Sequence, residues 1–374
     1  MKRIRLPRPT GKYPVGLRHT GFSFSDGNGA TPISLTIFYP AFSDAGTLAP
    51  YAFPQVLEPL ELEQVDTACR KDAPLAKGNP FPLVLFNHGY LMYEMCSTVL
   101  CSDLASCGYV VAAIGHTEEG SITMPDGTFI PKGQRYIDYI YAPQMMKRAG
   151  ELLDAVAAMP DGIESEDRLA QLAFDFHALH NGNLNDSADI WEQHTLAAAA
   201  YIRSLNDEVS SFLHGRLDLA KGIGLTGHSF GGATAANCCA HYDLFPCGID
   251  IDGAQLGSSF GNDIGKPFLT ISGNDGGKIL RDMYKRNSAD SYHISICSVE
   301  HYGLTDRGIL GLLTGKSFPG VGEKNPMQVR AILRDYHLAF FAKYLLGEEG
   351  EMPFPDDADI EFQRKPGRKG VVAL

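Results

Sequence analysis

One tryptophan occurs in 374 residues, and no run approaches the ~20 apolar residues that a bilayer-crossing helix needs. An integral membrane segment is therefore not expected. Positive charge is also in deficit: 32 Lys and Arg against 44 Asp and Glu give a formal charge of −12, which excludes a surface built for nucleic acid. The eight cysteines at 69, 96, 101, 107, 238, 239, 247 and 297 show no C-x-x-C pair and no regular framework. Reduced, buried thiols in a cytoplasmic protein are the expectation. The basic stretch Met1 to Pro9 is followed by no apolar core of a leader, so no signal peptide is expected. Linkers and internal repeats are likewise missing, and only the tail after Pro353 reads as unstructured.

What is present centres on Gly222 to Gly232. Gly227-His228-Ser229-Phe230-Gly231 is a G-x-S-x-G pattern preceded by a short apolar run and followed by the helix-compatible Ala233-Thr234-Ala235-Ala236. In that context the pattern predicts a nucleophile elbow, in which a strained turn lifts Ser229 from a strand end and the glycines leave room around it. A helix starting at Phe230 would aim unpaired N–H groups at the same spot.

Around this turn the chain reads as alternating strands and helices. Residues 20–24 and 32–39 alternate with period two about Asp26-Gly27-Asn28-Gly29, predicting an antiparallel hairpin at a sheet edge. Residues 40–79 read as a surface excursion with a short helix at 57–68. The apolar runs 82–86, 108–114, 247–253, 267–272 and 293–299 predict strands buried on both faces. Helices are expected at 93–106, 144–159, 191–205 and 327–346. Strand, helix, strand at this spacing implies parallel crossovers. The fold class expected is α/β, one domain over 1–374, with residues 120–190 inserted as a helical cap over the site or as a plain surface excursion.

A serine hydroxyl needs a base and a carboxylate that orients the base, in the chain order Ser, acid, His. His301 follows the last strand in Val299-Glu300-His301-Tyr302-Gly303 and suits the base; His293 and His337 fall inside a strand and a helix. For the acid the residues leave two choices, Asp252 and Asp275, each in a loop after a strand. His88 and His228 read as buried residues that shape loops. His177, His180 and His194 lack a carboxylate or cysteine at ligand spacing, so a solvated helix face is expected and no metal or other cofactor.

The runs Gly-His-Ser-Phe-Gly-Gly-Ala-Thr at 227–234, Phe-Asn-His-Gly at 86–89, Val-Val-Ala-Ala-Ile-Gly-His at 110–116 and Cys-Gly-Ile-Asp-Ile-Asp-Gly at 247–253 resemble the plasma-type (isoform II) platelet-activating-factor acetylhydrolase family. The likeness spans about Tyr13 to Leu346 and is poorest at 40–79 and 120–190. It implies an α/β-hydrolase fold, a mostly parallel sheet with helices on both faces. It also implies serine ester hydrolysis through an acyl-enzyme, acting on a short-acyl phospholipid or another small ester. The same likeness puts the acid at Asp252, beside Ser229 and His301, and the oxyanion donors at the backbone N–H groups of Phe230 and Tyr90. Tyr90-Leu91 departs from the smaller pair of the family pattern, so pocket size does not carry over. A short-chain carboxylesterase, a polyester hydrolase, an amidase or a non-catalytic binding relative are the alternatives, and the oligomeric state is left open.

Overall fold

The computed structural model describes residues 4–25, 29–52, 54–159, 166–274, 277–355 and 357–367. Asp275, and the turn residues Asp26, Gly27 and Asn28, lie outside them. The first wing of the sheet holds β1 (Ile4–Arg5), β2 (Val15–Ser25), β3 (Ala30–Pro40), β4 (Leu48–Pro50) and β5 (Val65–Lys71). β2 and β3 pair antiparallel along their full length, from Val15–Pro40 to Ser25–Ala30. That hairpin is not the sheet edge, because β5 and then β1 lie outside β2. The helix expected at 57–68 is also replaced: α1 is only Pro54–Leu57, a single 3₁₀ turn follows, and β5 takes the rest. The β-branched Val65 and Thr67, with Cys69, put alternate side chains inside, which favours a strand over a helix.

The centre is built from β6 (Phe81–Asn87), α2 (Thr98–Ser106) and β7 (Val110–Gly115), and then, past an insertion, from later strands. The insertion carries β8 (Ile122–Thr123), β9 (Phe129–Ile130), α3 (Gln134–Ile140), α4 (Pro143–Ala157) and α5 (Glu166–Leu179), and leads into α6 (Leu184–Asp207). After β10 (Leu217–Asp218) come β11 (Gly224–His228), α7 (Phe230–His241), β12 (Gly248–Ile251), β13 (Phe268–Ser272), α8 (Gly277–Arg286) and β14 (Ser291–Ile296). The chain closes with α9 (Asp306–Thr314), α10 (Pro326–Tyr344) and β15 (Ile360–Lys365). Strands β7, β6, β11, β12, β13 and β14 lie side by side and all parallel.

Their unbroken apolar runs have a simple cause: both faces are covered. Val84, Phe86, Val111, Ala113, Ile249 and Ile251 form one core with residues of α2 and α10. Leu83, Leu85, Val110, Ala112 and Leu225 form the other with residues of α6, α7 and α8. This is the α/β-hydrolase architecture. The tail is a correction, since β15 pairs antiparallel with β14 over Ser291–Lys365 to Ile296–Ile360 and so covers the open edge.

One core histidine ties the sheet to its covering helix, and a second joins two neighbouring strands. His337 of α10 is fully buried, donating from Nδ1 to Leu333 O at 2.6 Å while Nε2 meets the Thr226 hydroxyl at 3.0 Å. His293 of β14 bonds the Thr270 hydroxyl at 2.8 Å. Burial lowers the first to about 4 and the second, with help from Arg281, to about 3. Both rings are therefore neutral when folded and take up a proton on unfolding once the pH drops below ~6.5. Their contribution is complete above that pH and is lost on acidification toward 4, by up to about 1.4 kcal/mol per pH unit for each ring. Urea unfolding at pH 7.5, 6 and 5 should show the midpoint falling with pH, more shallowly in His337→Gln; an unchanged midpoint would contradict the neutral rings.

Candidate active site

β11 passes into α7 through one residue, Ser229, at φ 56° and ψ −123°. A side chain rarely tolerates this backbone, so neighbouring contacts must hold it. The Ser229 N–H donates to Ile251 O at 2.7 Å, and its carbonyl accepts from the N–H groups of Gly232 (2.8 Å) and Ala233 (3.2 Å). The turn also demands bare neighbours. A Cβ on Gly227 would lie 2.2 Å from Gly231 O, and one on Gly231 would lie 2.1 Å from Asn87 O. Phe230 is the first helical residue, so its N–H has no acceptor within α7.

One strand over, β12 ends in the same manner. Asp252 stands at φ 58°, and its N–H donates to Ile271 O at 2.7 Å. Its carboxylate accepts from His301 Nδ1–H at 2.6 Å and from Gly273 N–H at 3.1 Å. Burial alone would raise this carboxyl. The bond from His301, the rings of His301 and His228, and the Gly273 N–H together outweigh burial and hold it below its ordinary value. The carboxylate side chain is 3% exposed and the imidazole 35%, so the acid is sealed while the ring remains reachable. With Nδ1–H committed to Asp252, Nε2 of His301 is the nitrogen left with a lone pair.

His301 opens a 3₁₀ turn, His301–Leu304, and its carbonyl accepts from His228 Nε2–H at 2.9 Å. Burial, with His301 next, lowers His228 to about 3, so it stays neutral and pins the turn. Its Nδ1 has no partner among the described residues. Ser229 and His301 line one cavity, but no hydrogen bond joins the Ser229 hydroxyl to the His301 ring.

Beneath the Tyr90 turn lies a polar floor. His88 Nδ1–H donates to Gly89 O at 2.7 Å, and its Nε2 accepts from His116 N–H at 3.2 Å. Leu91, at φ 59°, donates its N–H to Glu119 O at 2.7 Å. Glu119 accepts from the Ser187 hydroxyl and the Trp191 indole, bonds that resist the upward push of burial on its carboxyl. Trp191 is fully buried, stacks on His116 at 3.6 Å and meets the Phe230 ring edge-on at 4.8 Å. The solvated helix face expected for His177, His180 and His194 is not found, and His180 lies in the turn after α5. His180 and His194 are buried, the first bonded to Tyr139 Oη (2.8 Å) and the second to His116 (3.3 Å), while His177 stacks on Phe260 at 4.2 Å. His180 packs within the insertion, on Tyr139 and Phe176, whereas His194 is covered by His116 and Phe24 and His177 by Phe260, all from other parts of the chain. Among the described residues no group of three or more His, Cys, Asp or Glu is placed to hold a metal ion.

Above Ser229 opens a cavity of about 470 Å³. Its lining includes Tyr90, Phe230 and Tyr302, the apolar side of α4 (Met145, Met146, Leu153) and two cations, Lys132 and Arg307. Lone cations in loops and at helix starts carry no periodic signal, so the sequence reading passes over Lys132 and Arg307. Such a site can pass a proton between a hydroxyl and an imidazole held in one tautomer, beside unpaired N–H groups suited to a negative oxygen. No described helix is long and apolar enough to cross a membrane.

Comparison with known proteins points the same way as the motifs. The profile of the family described as platelet-activating factor acetylhydrolase, isoform II, matches residues 49–212 and 210–351. The chain is 24% identical to a platelet-activating factor acetylhydrolase of Cavia porcellus over 91% of this chain and 78% of that one. It is 25% identical to that of Gallus gallus, over 75% and 66% of the two chains, and 25% identical to that of Canis lupus familiaris, over 68% and 56%. Among solved structures, a ferulic acid esterase from Streptomyces cinnamoneus superposes with a TM-score of 0.70 at 19% identity, covering 96% of this chain and 99% of its own.

The turn yields a direct test. In Gly231→Ala the new methyl must displace the Asn87 carbonyl, so stability should fall by about 1–3 kcal/mol, read as a lowered melting temperature. Gly350→Ala, where a Cβ meets nothing within 4 Å, should melt like the parent. Equal melting of the two variants would mean that the turn is not that tight.

Proposed function

Because the chain belongs to the platelet-activating factor acetylhydrolase, isoform II, family and is a carboxylic-ester hydrolase on an α/β-hydrolase fold, we propose that Ser229, His301 and Asp252 form its catalytic triad. Ser229 Oγ attacks the ester carbonyl carbon as its proton passes to His301 Nε2. Asp252 holds His301 in the required tautomer and stabilises the imidazolium. The oxyanion of the tetrahedral intermediate takes hydrogen bonds from the backbone N–H groups of Phe230 and Tyr90, each such donor being worth about 2.7–4 kcal/mol of barrier. As the intermediate collapses, His301 returns the proton to the leaving alcohol and the acyl group stays on Ser229. Water, deprotonated by His301, then attacks the acyl-enzyme and frees the acid and the serine. No cofactor enters any step.

The observation that carries this reading is the 2.6 Å bond between His301 Nδ1 and the sealed Asp252 carboxylate, on a ring that lines the same cavity as Ser229. Residues 120–190 act as a cap within a single domain, a role supported by Lys132, Tyr141, Met145, Leu153 and Phe176 in the cavity lining. The relatives named above act on platelet-activating factor, and a cavity of about 470 Å³ suits such a short acyl chain or another small ester. Eight unpaired thiols support a reducing compartment such as the cytoplasm.

A fluorophosphonate probe should label the parent and fail to label Ser229→Ala. Asp252→Asn should cut kcat by ~10,000-fold through the wrong tautomer, whereas Asp275→Asn should stay within a few-fold; loss confined to Asp275→Asn would overturn the assignment of the acid. On nitrophenyl esters of rising length, kcat/KM should peak at short acyl chains, and a peak at long chains would contradict the cavity argument.

A further inference from the structure

Two positive charges face the cavity over Ser229 without a part in the hydrolysis described above. Lys132 stands beside the Tyr90–Leu91 turn and donates from Nζ to Leu91 O at 3.2 Å. Arg307 stands beside His301, its guanidinium carbon 3.9 Å from the centre of the Tyr302 ring. Both are half-buried, and among the described residues neither has a carboxylate partner. The described lining of the cavity contains no Asp or Glu. The nearby acids are engaged elsewhere: Glu118 pairs with Arg135 at 2.8 Å, Glu119 bonds Ser187 and Trp191, and Asp306 turns inward to the Val99 N–H at 3.2 Å.

The two cations also feel one another. Burial first, and then the charge of Arg307, lower the Lys132 ammonium below its ordinary value. Like charges brought together away from bulk water raise the free energy of the empty site, and an anion between them lowers it. Such a spot stands out in a chain whose formal charge is −12. The chemistry of the pair is complementary, since a guanidinium offers a planar fork to two oxygens and an ammonium adds a compact third donor.

We infer that Lys132 and Arg307 form a subsite for an anionic group, a phosphodiester or a carboxylate, carried by the same ester molecule that Ser229 cleaves. The inference rests on the hydrolase reading of Ser229 and names its preferred substrates as esters bearing a negative charge. The apolar α4 side of the cavity then takes the uncharged remainder of the molecule. Because the anion does not react, the pair contributes to binding and orientation and is expressed mainly in KM.

The test uses the full-length protein and two matched pairs of esters. One pair is the 4-nitrophenyl monoester of glutaric acid against 4-nitrophenyl pentanoate. The other is an alkyl-acetyl-glycerol with a methyl phosphodiester headgroup against the same lipid without it. The quantity read is the ratio of kcat/KM, charged over uncharged, within each pair. The parent should favour the charged member of at least one pair by tenfold or more, and which pair responds tells a carboxylate from a phosphodiester. Lys132→Met and Arg307→Met should each lower that ratio at least fivefold, and added salt should raise KM for the charged member alone. Lys132→Arg and Arg307→Lys keep the charge and should retain most of the preference, which separates lost charge from disturbed folding. A parent with no preference in either pair, or methionine variants holding the ratio within twofold, would overturn the subsite. Failure of the hydrolase reading looks different: no turnover of either member, and no serine labelling.

Discussion

Two adjacent parallel strands end in the same unusual way, and the geometry of the site follows from it. Ser229 after β11 and Asp252 after β12 both take positive φ, and each continues the ladder by one hydrogen bond of 2.7 Å to the strand beside it. The sheet thereby compels two residues into backbone shapes they would not choose, and repays the strain with main-chain bonds to the neighbouring strand. Because the spacing between the strands is fixed, so is the step from the serine to the carboxylate. His301 needs only to arrive from β14, and Asp252 and His228 hold its ring and its carbonyl when it does.

The neutral histidines beneath the site belong to the same economy of charge. His88, His116 and His228 are buried with lowered basicity, so they bond as uncharged donors and acceptors and leave the field near Ser229 to the His301–Asp252 pair and the two cations. A floor of carboxylates or protonated rings would place unbalanced charge below the oxyanion position. Glu119 brings an acid to that layer, and two donors occupy its oxygens.

The sequence is most legible where burial acts on every residue of a segment. The strands around Leu83–Phe86, Val110–Ile114 and Ile249–Ile251 read directly, because covering on both faces removes any polar alternation. The bare positions Gly227 and Gly231 are readable too, since backbone approaches of this closeness leave no room for another residue. β15 is not readable, because Ile360 and Phe362 are only partly covered and their pairing partner lies some seventy positions earlier. The burial of His180 and His194 escapes for a related reason: what packs on each is decided by a segment distant in the chain, Tyr139 for the first and His116 for the second. Residue spacing alone leaves Asp252 and Asp275 equal, and the preference for Asp252 comes from family likeness. Lys132 and Arg307 meet only in three dimensions.

The lone indole sits where the chain most needs to be observed. Trp191 touches the Phe230 ring, lies against His116 and bonds the same Glu119 whose backbone carbonyl anchors the Tyr90–Leu91 turn. Intrinsic emission excited at the red edge therefore comes from this one spot, without tyrosine contribution and without an attached dye. Movement of the turn, ligand entry above Phe230 and loosening of α6 each change the polarity or the quenching around a single fluorophore, so an ordinary cuvette experiment can watch the floor of the site in the unaltered protein.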